Sequence, residues 1–526
     1  MKNLSVLITG LAISAAACAQ QNPTALKYGN IINATDAKKH LSILASDEFE
    51  GRETGKPGAE KAANYIAAEF KRLGLQAPVN GSYFLDVPLT QNSVTLSPLT
   101  INGQAFASWK DFVYQGSANA KVTAADIVFV GFGTADELAG VDITGKVVLW
   151  INEDKPEAGK TPNTSYRMTD GRRAIVKAIQ DKKPLLILAA NEGVATVLAR
   201  FKGVNPSGGG QISIKKTGAE AAKSTVAPLF IVNGPLADAA LKATGKTFAE
   251  IKEAAKTAKQ TQVVKTTADV TITATTTDVK AVDVLGFMPG KDAKLKNEVL
   301  VFSAHYDHIG LNPDPNAKDK VNNGADDDGS GTTGILEIAR AFSKAQKDGK
   351  GPRRSVLFLG NVGEEKGLLG SEWYTDHPVY PLANTIADLN IDMIGRVGEE
   401  YIGKPDSANY VYSIGSAMLS TDLHDIGEAA NNNYTKMKLD YKYDDPNDPN
   451  QFYYRSDHYN FAKHGVPIIF YFNGVHADYH GLGDEVSKIN FPLLVKRAQL
   501  AFYTGWELAN RDARPVVDKK SPAPTK

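Results

Sequence analysis

The run Glu298-Val-Leu-Val-Phe-Ser-Ala304, met at once by His305-Tyr306-Asp307-His308, is the stretch on which the fold turns. A largely apolar run of this length, rich in Val and Phe and free of Gly and Pro, suits a strand buried on both faces. The polar cluster that follows puts chemistry at the strand's carboxyl end. Similar runs recur at Val282–Met288, Ser355–Val362, Ile386–Asp392 and Val466–Phe472. Helical patterns separate several of them, notably Gly331–Gln346. This alternation predicts an α/β fold, a mixed and mainly parallel sheet flanked by helices on both faces.

Upstream the pattern changes. Gly58–Leu73 carries Ala59, Ala63, Ile66, Ala67, Phe70 and Leu73 at helical spacing, with Gly74 as a stop. From Tyr83 to about Gly133 short β-branched and aromatic runs take over. Further strands are expected at Gly145–Ile151, Pro184–Ala189 and Pro228–Val232, with a helix near Arg172–Gln180. The Thr-rich stretch Val270–Thr277 reads as a strand marking the return from an inserted domain. The expected order is a leader over 1–19, a first core segment over 20–119 and a β-rich insert over 120–255. A second core segment over 256–513, carrying the polar clusters, and a disordered tail over 514–526 complete it. A chain of 526 residues suits two such domains.

The leader reading rests on Lys2 followed by the apolar stretch Leu4–Ala17, too short to span a bilayer comfortably and ending in small residues. It predicts export to the periplasm or the exterior, with no transmembrane segment in the mature chain. Cys18 is the only cysteine, so no intramolecular disulfide is available. Ala17-Cys18-Ala19 fits a cleavage site that discards it; the second reading is a lipid anchor at Cys18, although Ala15 stands where a lipoprotein signal usually has leucine. Lys+Arg and Asp+Glu are both 59, a balance that points to no nucleic-acid partner.

In α/β folds ligands collect beyond the carboxyl ends of strands. His305 and Asp307 follow one strand, Gly363-Glu364-Glu365 a second, Asp392 a third, and Asp478-Tyr479-His480 a fourth after a short loop. Asp326-Asp327-Asp328 precedes a helix. Two imidazoles with several carboxylates form a mixed nitrogen and oxygen set suited to zinc. A pair of ions needs a bridging carboxylate, terminal ligands on each side and a free carboxylate as base. Adjacent Glu364 and Glu365 can divide the last two tasks. Taken singly each piece has a plain structural explanation: a strand-end hydrogen bond, a solvated helix start, a solvated loop. The aspartate run also lacks the alternate-position acids of an EF-hand calcium loop.

The segments GRETGKPG from Gly51, AHYDHIG, NNGADDDGSG, VGEEKGLLGS, LNIDMIG, RSDHYNFAKHGVPIIFYF and DYHGLGDEVSKIN resemble the co-catalytic di-zinc aminopeptidases of clan MH, a group that includes glutamate carboxypeptidase-like enzymes. The resemblance implies a zinc exopeptidase fold, two zinc ions per chain and peptide substrates. It makes His305 and Asp392 terminal ligands of one ion and Glu365 and His480 those of the other. Asp327 becomes the bridge, with a cis peptide to Asp328. Glu364 becomes the general base, Asp307 the partner that orients His305, and Tyr479 a candidate to steady the oxyanion. The insert is similar to a protease-associated domain, whose usual role is to shape substrate access. Gly481-Leu482 departs from the family's frequent Thr-Pro, and Asp283 stands where Asn is common; Asp484 is retained.

His40, His377, His424 and His464 have no ligand-like pattern. His308, His458 and His476 are expected in structural or substrate-facing roles, and Arg455 with its neighbours at the pocket wall. The reaction implied is removal of N-terminal residues from peptides. Carboxypeptidase or dipeptidase activity, a glutaminyl cyclase-like acyl transfer and a non-catalytic receptor module are the competing readings.

Overall fold

A computed structural model describes residues 21–520 apart from 115, 117–118, 202–209, 217–225, 315 and 446–447. The expected leader, Cys18 with its anchor reading, and residues 521–526 lie outside the described residues. No helix among the described residues is long and apolar enough to cross a membrane.

The chain divides into two compact units, one of Met1–Val87 with Lys280–Lys526, the other Pro88–Val279. The first holds an eight-stranded sheet. In chain order its strands are β1 (Phe84–Asp86), β2 (Val282–Met288), β3 (Val299–His305), β4 (Ser355–Asn361), β5 (Thr385–Ile391), β6 (Tyr410–Ile414), β7 (Lys438–Asp440) and β8 (Ile468–Phe472). Their spatial order is β1-β2-β4-β3-β5-β8-β6-β7. The four central strands β4, β3, β5 and β8 run parallel, whereas β2 and β6 join them antiparallel. The sheet is therefore mixed with a parallel centre, as the alternating pattern predicted.

Alternation along β3 sorts the two faces. Phe302 turns to one face, where it stacks on Phe358, and Phe342 and Phe502 pack beside them. Phe342 belongs to helix Gly329–Lys347 and Phe502 to helix Phe491–Asn510. A Cβ at Gly505 would strike the Phe302 ring, so the absence of a side chain there lets this helix close on the sheet. Val301, with Leu285, Leu357, Leu359, Ile468 and Phe470, faces the other core, beside Tyr374 and Phe461 of helices Leu369–Asp376 and His458–Lys463. Ser303 and His305 share the Val301 side, and on that side the polar clusters gather.

The second unit is a ten-stranded sheet. Ala120–Phe129, Val147–Ile151, Leu186–Ala190 and Leu229–Val232 run parallel in succession. The 18-residue strand Gln262–Val279 pairs antiparallel with both Ala120–Phe129 and Leu89–Leu96. That long strand moves the boundaries: the unit spans Pro88–Val279 rather than 120–255, because the flanking runs complete its own sheet. The expected tail also changes. Arg514 donates to the Ala383 and Thr385 carbonyls, the Val516 N–H to Asp422 and Lys519 to the Ala417 carbonyl, so these residues are strapped to the first unit.

Candidate metal centre

The parallel register brings the strand ends into one row. His305 is the partner of Asn361, and Ser303 that of Asn390, which sets His305 level with Asp392 just beyond β5. From this row His305 Nε2 stands 3.4 Å from Asp327 Oδ1, 3.7 Å from Asp392 Oδ1 and 3.9 Å from Glu364 Oε2. On the other side of Asp327, its Oδ2 lies 3.1 Å from His480 Nε2, and Glu365 Oε2 lies 3.1 Å from the same nitrogen. Asp327 thus offers one oxygen to each histidine group.

These spacings fit bound cations. Donors around a tetrahedral zinc at about 2.0–2.1 Å sit about 3.3 Å from one another. His305 Nε2 and Asp327 Oδ2 are buried without a hydrogen-bond partner among the described residues. Four carboxylates this close and this buried repel each other unless cations lie between them. The donor set, imidazole with carboxylate, suits zinc.

The three aspartates have separate tasks. Asp326 accepts from the Gly395 N–H at 2.6 Å and pairs with His476 Nε2 at 3.2 Å. Asp328 accepts from the Gly331 N–H at 2.8 Å, capping the helix, and from the Met393 N–H at 3.0 Å. Only Asp327 turns to the centre; the peptide bond after it is cis. Asp484 holds the run from below, accepting from the N–H groups of Asp326 and Asp327 at 3.0 Å each.

Arg52 is a residue whose part the sequence did not disclose. It is 1% exposed and donates to the carbonyls of Tyr306, Leu44, Asn323 and Gly324 at 2.6–2.8 Å. It ties the first segment of the chain to both the HYDH turn and the aspartate run. Its buried charge also lies within the field of Asp327, Asp484, Asp328 and Asp307.

The geometry adds detail to two expectations. The Asp307 carboxylate is 3.8 Å from His305 Nδ1, and the 3.1 Å contact of that nitrogen is with the Asp307 backbone carbonyl. The carboxylate is engaged elsewhere, accepting from Thr54 Oγ1 at 2.6 Å and the Glu364 N–H at 3.2 Å. Asp307 therefore sets the Glu364 backbone, and its main chain orients His305. His308, expected in a structural or substrate-facing role, places Nδ1 2.9 Å from Glu365 Oε1 and 3.7 Å from Asp327 Oδ2. Its position immediately after Asp307, in a turn, gave no periodic signal for this reach.

The charges follow from burial and company. Burial pushes the Glu364 carboxyl well above its ordinary range; His305 opposes this, and Glu365 and Asp392 add to it. Burial pulls His480 down, but the Asp327 and Glu365 carboxylates, each with an oxygen 3.1 Å from Nε2, outweigh it and raise the imidazole to about 10 in the absence of metal. Tyr479 stacks on His480 with centroids 3.9 Å apart, and Arg455 Nη2 reaches its hydroxyl at 3.5 Å. Beside the centre opens a cavity walled by Met393, Phe452, Phe470, Phe472 and Val475 with Arg455 and Tyr479.

Residues 283–504 match the sequence family described as peptidase family M28. The chain is 32% identical over 136 residues to aminopeptidase YwaD of Bacillus subtilis (strain 168), covering 25% of this chain and 26% of that protein. It is 28% identical over 257 residues to leucine aminopeptidase 2 of Trichophyton equinum, 43% of this chain and 46% of that one. The chain thus spans about a quarter to a half of these relatives. In structure it is similar to an aminopeptidase from Aneurinibacillus sp. strain AM-1, with TM-score 0.56 at 19% identity over 95% of this chain and 100% of that one. A zinc aminopeptidase from Bacillus subtilis gives TM-score 0.50 at 19% identity, over 94% and 99%. Those two likenesses concern the fold, while the match to the peptidase family M28 model spans all eight side chains expected at the centre.

Proposed function

We propose that the protein is a zinc-dependent exopeptidase that removes amino acids from the N-termini of peptides. The observation that carries this reading is the placement of Asp327, one oxygen toward His305 and the other toward His480. His305 and Asp392 would hold one ion, Glu365 and His480 the second, with Asp327 shared. His308, 2.9 Å from Glu365, supports the second group.

The chemistry such a pair supplies when bound is a water of lowered pKa and a polarised carbonyl. Glu364 is free for proton work: its carboxylate faces the same space, and its backbone is fixed by Asp307. It takes the proton of the attacking water and returns it to the leaving amine. Tyr479, at the cavity wall, is placed to donate to the carbonyl oxygen as charge develops there. The apolar wall of Phe452, Phe470, Phe472, Met393 and Val475 favours an apolar terminal side chain. Residues 120–255, within the unit Pro88–Val279, would form a protease-associated domain on their sequence resemblance, and Lys2 with the apolar Leu4–Ala17 supports export.

The test is zinc content by mass spectrometry together with hydrolysis of matched peptides, free or acetylated at the N-terminus. Two zinc ions per chain and loss of hydrolysis on acetylation are expected. Undiminished cleavage of the blocked peptides would remove the aminopeptidase reading, and a chain without metal would remove the metallopeptidase reading.

A further inference from the structure

A line of hydrogen bonds runs through the buried face of the sheet from Asp388 to Asp392. Ser303 Oγ is 2.8 Å from Asp388 Oδ1 and 2.9 Å from Asn390 Oδ1. Asn390 Nδ2 donates to Ser456 Oγ at 2.9 Å, and Ser456 Oγ donates to Asp392 Oδ2 at 2.7 Å. Asp388, Ser303, Asn390 and Ser456 are wholly buried, and Asp392 is 6% exposed. The strands build the line: Asp388, Asn390 and Asp392 are two apart and share a face, and Ser303 is the register partner of Asn390 on β3.

Counting protons fixes its direction. As an ionised metal ligand, the role proposed above, Asp392 can only accept, so the single Ser456 hydroxyl proton goes to it. Asn390 must then offer its amide N–H to Ser456, which turns its carbonyl oxygen to Ser303. That oxygen also only accepts, so it takes the single Ser303 proton. Nothing remains to donate to Asp388 Oδ1, which still lies 2.8 Å from the Ser303 oxygen. Two facing lone pairs in a dry interior are strongly unfavourable. The conflict disappears when Asp388 carries the proton and donates it to Ser303.

We propose that Asp388 is a neutral, hydrogen-bond-donating positioning residue that sets the polarity of a Ser303–Asn390–Ser456 relay and so aims the Asp392 carboxylate at the metal. This rests on the reading of Asp392 as a ligand. Independent of the count, burial pushes the Asp388 carboxyl well above its ordinary range; the Ser303 hydrogen bond opposes this and nearby Asp457 adds to it. The second oxygen, Oδ2, has no partner among the described residues, a smaller burden for a neutral acid than for an anion.

Two measurements on the full chain test it. In metal-free protein at pH 7, Asp388→Asn removes no charge from an acid already neutral. Its electrophoretic mobility should equal that of the unsubstituted chain, while Asp170→Asn, at a carboxylate 97% exposed, shifts by one charge. A shift in Asp388→Asn equal to that control overturns the proposal. In zinc competition, Ser303→Ala should bind zinc about tenfold or more weakly, whereas Asp388→Asn, whose amide N–H replaces the acid O–H, stays within about twofold. Where Ser303→Ala fails to fold, Ser456→Ala breaks the next link. Unweakened zinc binding in the serine variant also overturns the proposal. An unsubstituted chain that binds no zinc sinks the metallopeptidase reading first, and the relay's purpose with it; the mobility result is independent of metal and tells the two failures apart.

Discussion

Glu365 is held between two histidines, with Oε1 2.9 Å from His308 Nδ1 and Oε2 3.1 Å from His480 Nε2. With Glu365 holding the second ion as proposed, His308 would act on that ion through Glu365. Outer partners of metal ligands typically contribute 10–100-fold to metal affinity. His308→Ala should therefore lower zinc occupancy at one site about that much and leave the other filled. Zinc titration against a chelating dye would read this as two classes of site; two unchanged sites would reject the role.

Glu364→Gln should keep two zinc ions, because the glutamine leaves His305, Asp327 and Asp392 in place. Turnover should fall by about 10²–10⁴, the usual contribution of a positioned base. Parallel zinc analysis and kcat measurement separate the two effects. Near-normal turnover with intact metal content would rule Glu364 out as the base.

Arg52 meets four carbonyls at 2.8 Å or less inside the protein. Removing the guanidinium leaves those acceptors buried and unsatisfied. Arg52→Met is expected to lose roughly 3–5 kcal/mol of stability in urea unfolding, in the range for breaking buried charged interactions. Arg52→Lys, with one ammonium in place of a fork, should recover only part of it. A cost below about 1 kcal/mol, as for a surface substitution, would contradict the anchoring role.

His458 is wholly buried, its Nε2 2.8 Å from the Tyr453 carbonyl, and burial lowers its pKa to about 3. The unfolded chain titrates near the ordinary value of about 6.5. Between these values the unfolded state binds the extra proton, so stability is complete above about pH 6.5 and falls as pH drops toward 3. The limiting slope is about 1.4 kcal/mol per pH unit. In metal-free protein, His458→Gln should show a shallower fall of urea-unfolding free energy between pH 6 and 4. Parallel curves for the two proteins would disprove this assignment.

Strand β2 was legible residue for residue, and β3, β4, β5 and β8 were placed within about two residues, because a buried parallel strand must be a short apolar run whatever its surroundings. Strands β6 and β7 and helix Phe491–Asn510 were not singled out. Strand β6 carries Ser413 among its aromatics, β7 is three residues long with Lys438 and Asp440 at its ends, and the helix is apolar on much of its circumference, so neither period stood out. The insert's edges were misplaced for a related reason. Leu89–Leu96 and Gln262–Val279 alternate like any half-exposed strand, and only their pairing assigns them to one sheet.

For the site, residue types and strand ends were enough to nominate His305, Glu364, Glu365, Asp392, His480 and the run Asp326–Asp328, since ligand chemistry requires imidazole and carboxylate; the choice of Asp327 within that run came from the family resemblance. Which carboxylate faces which histidine was decided by tertiary structure alone. Asp307 bonds His305 through its backbone and Glu364 through its side chain, a division set by a turn that no spacing rule encodes. Arg52 reaches the HYDH turn across 254 residues and His308 reaches Glu365 across 57, through hydrogen bonds that exist only once these segments are packed. Sequence by itself determined the chemical inventory, because side-chain chemistry is local. Direction and pairing were left to the packed structure, because a hydrogen bond depends on where both partners are held.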